Sequence, residues 1–263
     1  MKPFLRWAGS KIQLLPHLQA FWSDHYARYV EPFAGSASLF FRLQPKKALL
    51  SDINRELILA LQQVRQQPTH VVECLRRMPR SSRHFYQIRE QQPETLPLNV
   101  RAARFIYLNA LCFNGLYRTN LLGVFNVPYG SKHKRNPFDL ELIRRAGSLL
   151  QHAQLLNDDF EKCLQHVTEG DFVYLDPPYI NSKRRTFQYA AGVFSSDDLD
   201  RLFDVLHAID AAGAHFVLSY ANVKEMSPFK DCWRSMRVTA RRNIAGFAAD
   251  RKLTAEILIT NIQ

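Results

Sequence analysis

The chain has 263 residues, 46% of them hydrophobic, and a formal net charge of +11. That length suits one large domain or a domain carrying an insertion, and no window approaches the apolar length that a membrane span needs. Four scattered cysteines, Cys74, Cys112, Cys163 and Cys232, form no CxxC pair, which argues against a zinc site or a disulfide framework. Met1 to Trp7 lacks the long apolar stretch of a signal peptide, so a reducing cytoplasm is expected.

In chain order, Tyr29-Val30-Glu31-Pro32 predicts a strand, Ala34-Gly35-Ser36 a tight turn, and Leu39-Phe40-Phe41 a short helix. A second strand, Ala48-Leu49-Leu50-Ser51, ends in Asp52. Strand, glycine turn, helix, strand and acid is the order of a nucleoside-binding βαβ unit. There the turn approaches the ligand and the acid takes ribose hydroxyls. With one glycine and no GxGxxG, an ordinary βαβ turn explains the pattern nearly as well.

From Asn54 the pattern becomes helical and basic through Leu57, Ile58, Leu61 and Val64, then loosens into a proline-containing linker around Gln91 to Leu98. Residues 101–113 predict an apolar core helix. Paired Asn-Gly and Gly-Val signals among β-formers across Asn114–Gly130 then read as a hairpin or extended loop, followed by Lys132, His133, Lys134 and Arg135. Between Glu56 and Arg145 there are 14 Lys and Arg against 6 Asp and Glu, so +8 of the +11 lies in this middle third. A localised basic excess points to a polyanion partner, nucleic acid first; a generally basic protein with solvated arginines is the plain alternative. A β-ribbon with a basic edge suits a DNA groove, its cations holding phosphates.

The second half returns to α/β alternation. Ala153–Leu156 predicts a strand ending at Asn157-Asp158-Asp159-Phe160. Phe172-Val173-Tyr174-Leu175 predicts a buried strand, stopped by the two prolines of Asp176-Pro177-Pro178-Tyr179. Asp176 is therefore held at a strand's carboxyl end, where open α/β sheets place ligands. A carboxylate, a turn carbonyl and an aromatic face suit an exocyclic amine on a flat ring. Ser195 and Asp198 form a capping-box pattern before a helix that closes at Gly213, and strands His215–Ser219 and Ile257–Thr260 complete a mainly parallel sheet. The expected fold is thus an α/β sheet domain, residues 1–55 and 146–263, interrupted by a mostly helical insertion, residues 56–145, that carries the hairpin.

Four segments occurring in order, Phe4–Lys11, Glu31–Ser38, Asn114–Gly130 and Asp176–Tyr179, give the chain a close resemblance to the Dam-like DNA adenine methyltransferases over essentially its whole length. The resemblance implies a Rossmann-like sheet dependent on S-adenosylmethionine, with no metal, and as acceptor the N6 amine of an adenine flipped out of double-stranded DNA. Trp7 and Lys11 match the family's N-terminal cofactor segment, Gly35 its turn, and Asp52 its ribose-binding acid. Gly9-Ser10-Lys11 lacks the GxxxxGK of a phosphate loop. Asp159 and Phe160 match the place that holds the cofactor's adenine. Asp176 lies between cofactor and base, where Asp176 and the Pro177 carbonyl accept the amine hydrogens and Tyr179 stacks on the ring.

Tyr117, Arg118, Asn120, Lys132, Lys134 and Arg135 are the candidates for the DNA-facing surface. One departure matters: GATC-methylating relatives tend to carry Asn-Leu-Arg-Gly, and this chain has Asn120-Leu121-Leu122-Gly123. A leucine makes no bidentate contact with guanine, so GATC as the target is not carried over. A monomer with a cognate restriction endonuclease as functional partner is the expected setting. The competing readings are cytosine N4 as acceptor on the same fold and a non-catalytic DNA-binding relict.

Overall fold

A computed structural model describes residues 1–120, 122–130, 138–180, 194–241 and 253–263. Its sheet is built from β1 (Tyr29–Glu31), β2 (Ala48–Ser51), β3 (Ala153–Leu156), β4 (Phe172–Leu175), β5 (His215–Ala221), β6 (Arg234–Arg241) and β7 (Leu253–Thr260). The strand order is β3-β2-β1-β4-β5-β7-β6. The first five are mutually parallel, while β7 runs antiparallel to both β5 and β6. This is the expected Rossmann-like α/β sheet. Every residue of β1, β2 and β4 is buried, because helices cover both faces and a parallel strand then has no solvent side. Chain direction across the sheet reverses between β1 and β4, so a crevice opens where Glu31 and Asp176 end their strands.

The two-residue period of the strands divides the core. Tyr29, Phe172, Tyr174 and Val217 face one cluster, and Val30, Val173, Leu175, Phe216 and Leu218 the other. The first cluster is shared with α1 (Leu15–Gln19), α2 (Ser38–Leu43), α3 (Arg55–Gln66), α4 (Pro68–Arg77), α5 (Ser82–Glu90), α6 (Leu98–Leu111) and α7 (Leu140–Leu150). The second is covered by α8 (Phe160–Leu164), α9 (Ser196–Ala211) and α10 (Ser227–Cys232). Helices α3 to α7 therefore form a layer that shares one continuous core with the sheet. At its centre α6 is buried from Arg101 to Leu111, which is why its sequence is apolar nearly all round. Side-chain caps begin α3 at Asn54, α5 at Ser81 and α7 at Asp139, and the Ser195–Asp198 capping box is formed in full.

Part of the basic excess of the middle third is internal. Arg101 is buried against Glu56, and Arg104 is buried with its guanidinium on the carbonyls of Ile88 and Arg89. Edge strand β6 had no expected counterpart; of Arg234 to Thr239 only Val238 is buried, so the stretch carries no apolar pattern. The Asn114–Gly130 stretch is an extended ribbon with isolated bridges, Cys112 to Tyr129 and Thr119 to Phe125, instead of regular strands. Among the described residues no helix is long and apolar enough to cross a membrane.

Candidate active site

Asp176 leaves the end of β4 and turns toward Ser219 on β5, whose hydroxyl donates to Oδ1 at 3.1 Å. Lys11 Nζ stands 3.2 Å from the same oxygen. Burial raises the Asp176 carboxyl to about 6, against the opposing pull of Lys11. Lys11 has its other contacts on Tyr179 Oη at 2.5 Å and on Glu256 of β7 at 3.2 Å, and it lies 4.7 Å from the centre of the Tyr179 ring. Burial opposes the charge of Lys11, but Asp176, Tyr179 and Glu256 together raise its pKa above the ordinary lysine value. Tyr179 donates to Glu256 Oε1 at 3.0 Å and meets the edge of Tyr220 at 4.9 Å, while Tyr220 Oη accepts from the Ile180 amide at 2.8 Å. Lys11 and the Asp176–Tyr179 turn, far apart in sequence, form one buried ionic cluster.

The N-terminal segment that carries Lys11 is held from both sides. Asn109 of α6 accepts from the Arg6 amide at 3.0 Å and donates to the Arg6 carbonyl at 2.7 Å. Ser10 bonds Ser38 at the start of α2 at 2.9 Å. Trp7 lies against the β1–α2 turn, where Gly35 has φ +48° and a Cβ would stand 2.6 Å from the indole. The Gly35 amide donates to Asp52 Oδ2 at 2.9 Å, and the Asn54 amide donates to Oδ1 at 2.9 Å. Burial raises Asp52 to about 6 in spite of these amides. Between Asp52 and Asp176 lies Glu31, 3% exposed, with Oε2 lacking a hydrogen-bond partner among the described residues. Burial drives its carboxyl far above the usual range, and the charges of Asp176 and Asp52 add to the shift.

Asp159 caps α8, and its Oδ1 accepts from the Glu161 amide at 3.0 Å and pairs with Arg201 at 2.5 Å. Arg201 also pairs with Glu161 and Asp198 and covers the Phe160 ring at 4.7 Å. Phe160 is buried, stacked on Phe33 at 5.3 Å and close to Phe194. Phe33 follows β1, and this aromatic pair belongs to the core cluster on the other side of the sheet from that of Trp7.

The expected DNA-facing residues separate. Tyr117 is 8% exposed, stacked on Trp7 at 5.8 Å and packed on Phe105 and Phe125, so its ring supports the ribbon from within. Arg118 is exposed and donates to Asn126 at 3.3 Å. Asn120 accepts from the amides of Leu122 and Val124, both at 3.0 Å, shaping a tip on which Leu122 is 86% exposed. Lys132, Lys134 and Arg135 lie outside the described residues.

Several residues went unnoticed in the sequence. Glu256 directly precedes the apolar Ile257–Ile259 run and Glu31 ends a buried strand; a lone acid in such company was a readable signal. Ser219 gave none. Arg76, Arg77, Arg80 and Arg83 are exposed around the α4–α5 turn, and no Asp or Glu occurs from Cys74 to Arg89. That turn is tied to the ribbon by Tyr129, which donates to the Arg80 carbonyl at 3.4 Å, and to α6 by Tyr107, which donates to the Pro79 carbonyl at 2.6 Å.

Comparison with known proteins agrees with this arrangement. A model of the D12 class N6 adenine-specific DNA methyltransferases matches residues 7–244. The chain is 34% identical to the Type II methyltransferase M1.LlaDCHI of Lactococcus lactis subsp. cremoris, over 99% of this chain and 95% of that protein. It is 32% identical to the Type II methyltransferase M.MjaIII of Methanocaldococcus jannaschii, over 93% of each. It is also 30% identical to a DNA adenine methylase of Vibrio cholerae, over 78% of this chain and 75% of that protein.

Proposed function

The chain belongs to the D12 class N6 adenine-specific DNA methyltransferase family, and from that premise we propose how its residues divide the work of methylating adenine in DNA. The observation that carries the reading is the Asp176 carboxylate, fixed at the sheet's reversal point beside Tyr179 and charged through Lys11. An adenine amine in a duplex is paired, so the base must leave the stack, at a cost of a few kcal/mol. Tyr179 stacks on the extruded ring. Asp176 and the Pro177 carbonyl accept the two N6 hydrogens, which draws the nitrogen lone pair out of conjugation with the ring. Such transfer depends on orientation more than on acid–base strength.

The crevice suits S-adenosylmethionine, a nucleoside joined to a cationic chain. Glu31 offers to the positive end a buried carboxyl oxygen that has no partner among the described residues. Asp52, organised by the Gly35 and Asn54 amides, takes the ribose hydroxyls. Trp7 and Gly35 shape the turn beside it, and Phe160 with Asp159 receives the adenine. When bound, this cosubstrate supplies an activated methyl carbon. Lys11, matched by resemblance to a cofactor segment, is engaged with Asp176, Tyr179 and Glu256, so its work is to charge and brace the transfer site.

The ribbon tip, with Arg118, Asn120 and Leu122, enters a groove of double-stranded DNA, and the arginines of the α4–α5 turn hold phosphates beside it. Helices α3 to α7 and the ribbon thereby serve as the target-recognition unit. The Type II names of two relatives support a cognate restriction endonuclease as functional partner. The test is to express the wild type and Asp176→Asn in a methylation-free host, digest the genomic DNA to nucleosides and map modified bases. Wild type is expected to leave N6-methyladenine at one short motif and Asp176→Asn none. Undiminished methylation by Asp176→Asn would overturn the assignment of Asp176.

A further inference from the structure

We propose that Glu256 is a positioning residue of the transfer site, holding Lys11 and the Tyr179 ring so that the Asp176 carboxylate stays available to the substrate amine. The inference rests on the reading of Asp176 and Tyr179 above and adds a residue from another strand, β7. Glu256 is 4% exposed. A buried acid needs partners to offset its desolvation, and both partners found here belong to the transfer site. Tyr179 Oη donates to Oε1 at 3.0 Å, and Lys11 Nζ stands 3.4 Å from Oε1 and 3.2 Å from Oε2.

Two consequences follow from this geometry. First, the Tyr179 ring is held by its hydroxyl on Glu256 and Lys11, by the Lys11 ammonium 4.7 Å from its centre, and by the edge of Tyr220 at 4.9 Å. A base that stacks on this ring meets a preset plane. Second, one ammonium is shared between two carboxylates, 3.2 Å from an oxygen of each. Without Glu256 the ammonium would pair with Asp176 alone and compete with the substrate amine for it. With Glu256 the three groups carry one surplus negative charge, which suits an amine that becomes more positive as it forms a bond.

Among the described residues, the groups that face Asp176 are Lys11 from the N-terminal segment, Glu256 from β7, Ser219 from β5, and more distantly Tyr174 of β4, Glu31 of β1 and Tyr179. Glu256 pushes the Asp176 carboxyl up and Lys11 pulls it down. Removing the Glu256 charge therefore acts in one direction, toward easier ionisation of Asp176.

The experiment compares wild type, Asp176→Asn, Glu256→Gln and Glu256→Asp in methyl transfer to an adenine-containing duplex across pH, with calorimetric binding of S-adenosylmethionine. Glu256→Gln is expected to lower kcat at least tenfold, with KM for DNA and calorimetric cofactor affinity within threefold of wild type. The acid limb of kcat should move to lower pH by half a unit or more, and Glu256→Asp should recover at least a third of the rate. A kcat within twofold of wild type, or an unmoved acid limb, would overturn the proposal. If Glu256→Gln fails to fold, Tyr179→Phe decides, since it removes the hydroxyl that Glu256 holds while keeping the ring. A tenfold fall in kcat at constant KM supports the proposal, and a wild-type kcat defeats it. Full activity in Asp176→Asn would defeat the underlying site reading, whereas an inactive Asp176→Asn beside a fully active Glu256→Gln would defeat this inference alone.

Discussion

Trp7 occupies the place where a side chain on Gly35 would begin: a Cβ there would lie 2.6 Å from the indole Cδ1 and 3.0 Å from Nε1. Gly35 also sits at φ +48°, which a residue with a Cβ rarely adopts. The turn therefore fits only a glycine, and its amide is what holds Asp52 Oδ2. Gly35→Ala combines backbone strain with overpacking, a loss of about 2–5 kcal/mol, or a fall in Tm on the order of 5–15 °C for a chain of this size. Calorimetry should also show weaker cosubstrate binding, because Asp52 loses its fixed orientation. An alanine variant with wild-type Tm and binding would refute the role of this contact.

Activity should fall as the medium is acidified through about pH 6. Ionised Asp176 is the stronger acceptor for the amine and carries the charge that offsets the developing positive nitrogen, and its folded value is about 6, so this form is depleted below that pH and complete well above it. The Ser219 hydroxyl, 3.1 Å from Oδ1, favours the ionised form. Ser219→Ala should therefore shift the acid limb of kcat to higher pH. A shift to lower pH, or none, would count against Asp176 as the titrating group.

How far the sequence revealed this molecule depends on how local each signal is. The expected starts of β1, β2, β4 and β5 and the ends of β2 and β4 agree with the structure, because a strand buried on both faces writes its apolar run directly into the chain; β3 agrees at both ends although Gln154 is exposed. The Ser195–Asp198 cap was readable for the same reason, since partners three residues apart define it. Helices α4 and α5 were blurred by the arginines on their solvent faces, and β6 by having Val238 as its one buried side chain between Arg234 and Thr239. At the site, Asp52, Asp176 and Lys11 were legible as motif residues. That Lys11 meets Glu256 was not, because no local rule links residues that far apart. The placement of Tyr117 likewise turned on Trp7 and Phe105, which cover it only in the folded chain.

Arginines at the α4–α5 turn should govern affinity without touching chemistry. Arg76, Arg77 and Arg83 are exposed and beside the ribbon's base, and each phosphate contact contributes about 0.9 to the slope of log K against log salt. Replacing all three with alanine should flatten that slope by about 1–3 and weaken DNA binding at 100 mM salt, roughly equally for all sequences. The Tm should stay near wild type, since exposed substitutions cost about 0.5 kcal/mol or less. An unchanged salt slope by fluorescence anisotropy would remove this turn from the DNA-binding surface.

Leu122 should influence which sequence is methylated while leaving the reaction itself intact. It is 86% exposed at the tip of the ribbon, next to Val124 at 53%, and Asn120 holds the backbone of both. An apolar side chain presented this way has one specific partner in the major groove, the thymine methyl, and such base contacts are worth about 1–3 kcal/mol of discrimination. Leu122→Ala should then reduce preference for the cognate motif by roughly tenfold to a hundredfold, as 1.4 kcal/mol is a factor of ten. Its Tm and its kcat on a saturating cognate duplex should remain close to wild type, because Leu122 is exposed whereas Lys11, Asp176 and Glu256 form a cluster buried in the fold. Mapping methylated adenines genome-wide in cells expressing each variant measures the preference at every motif at once. If the Leu122→Ala map matches that of wild type, the tip does not read the sequence through this residue.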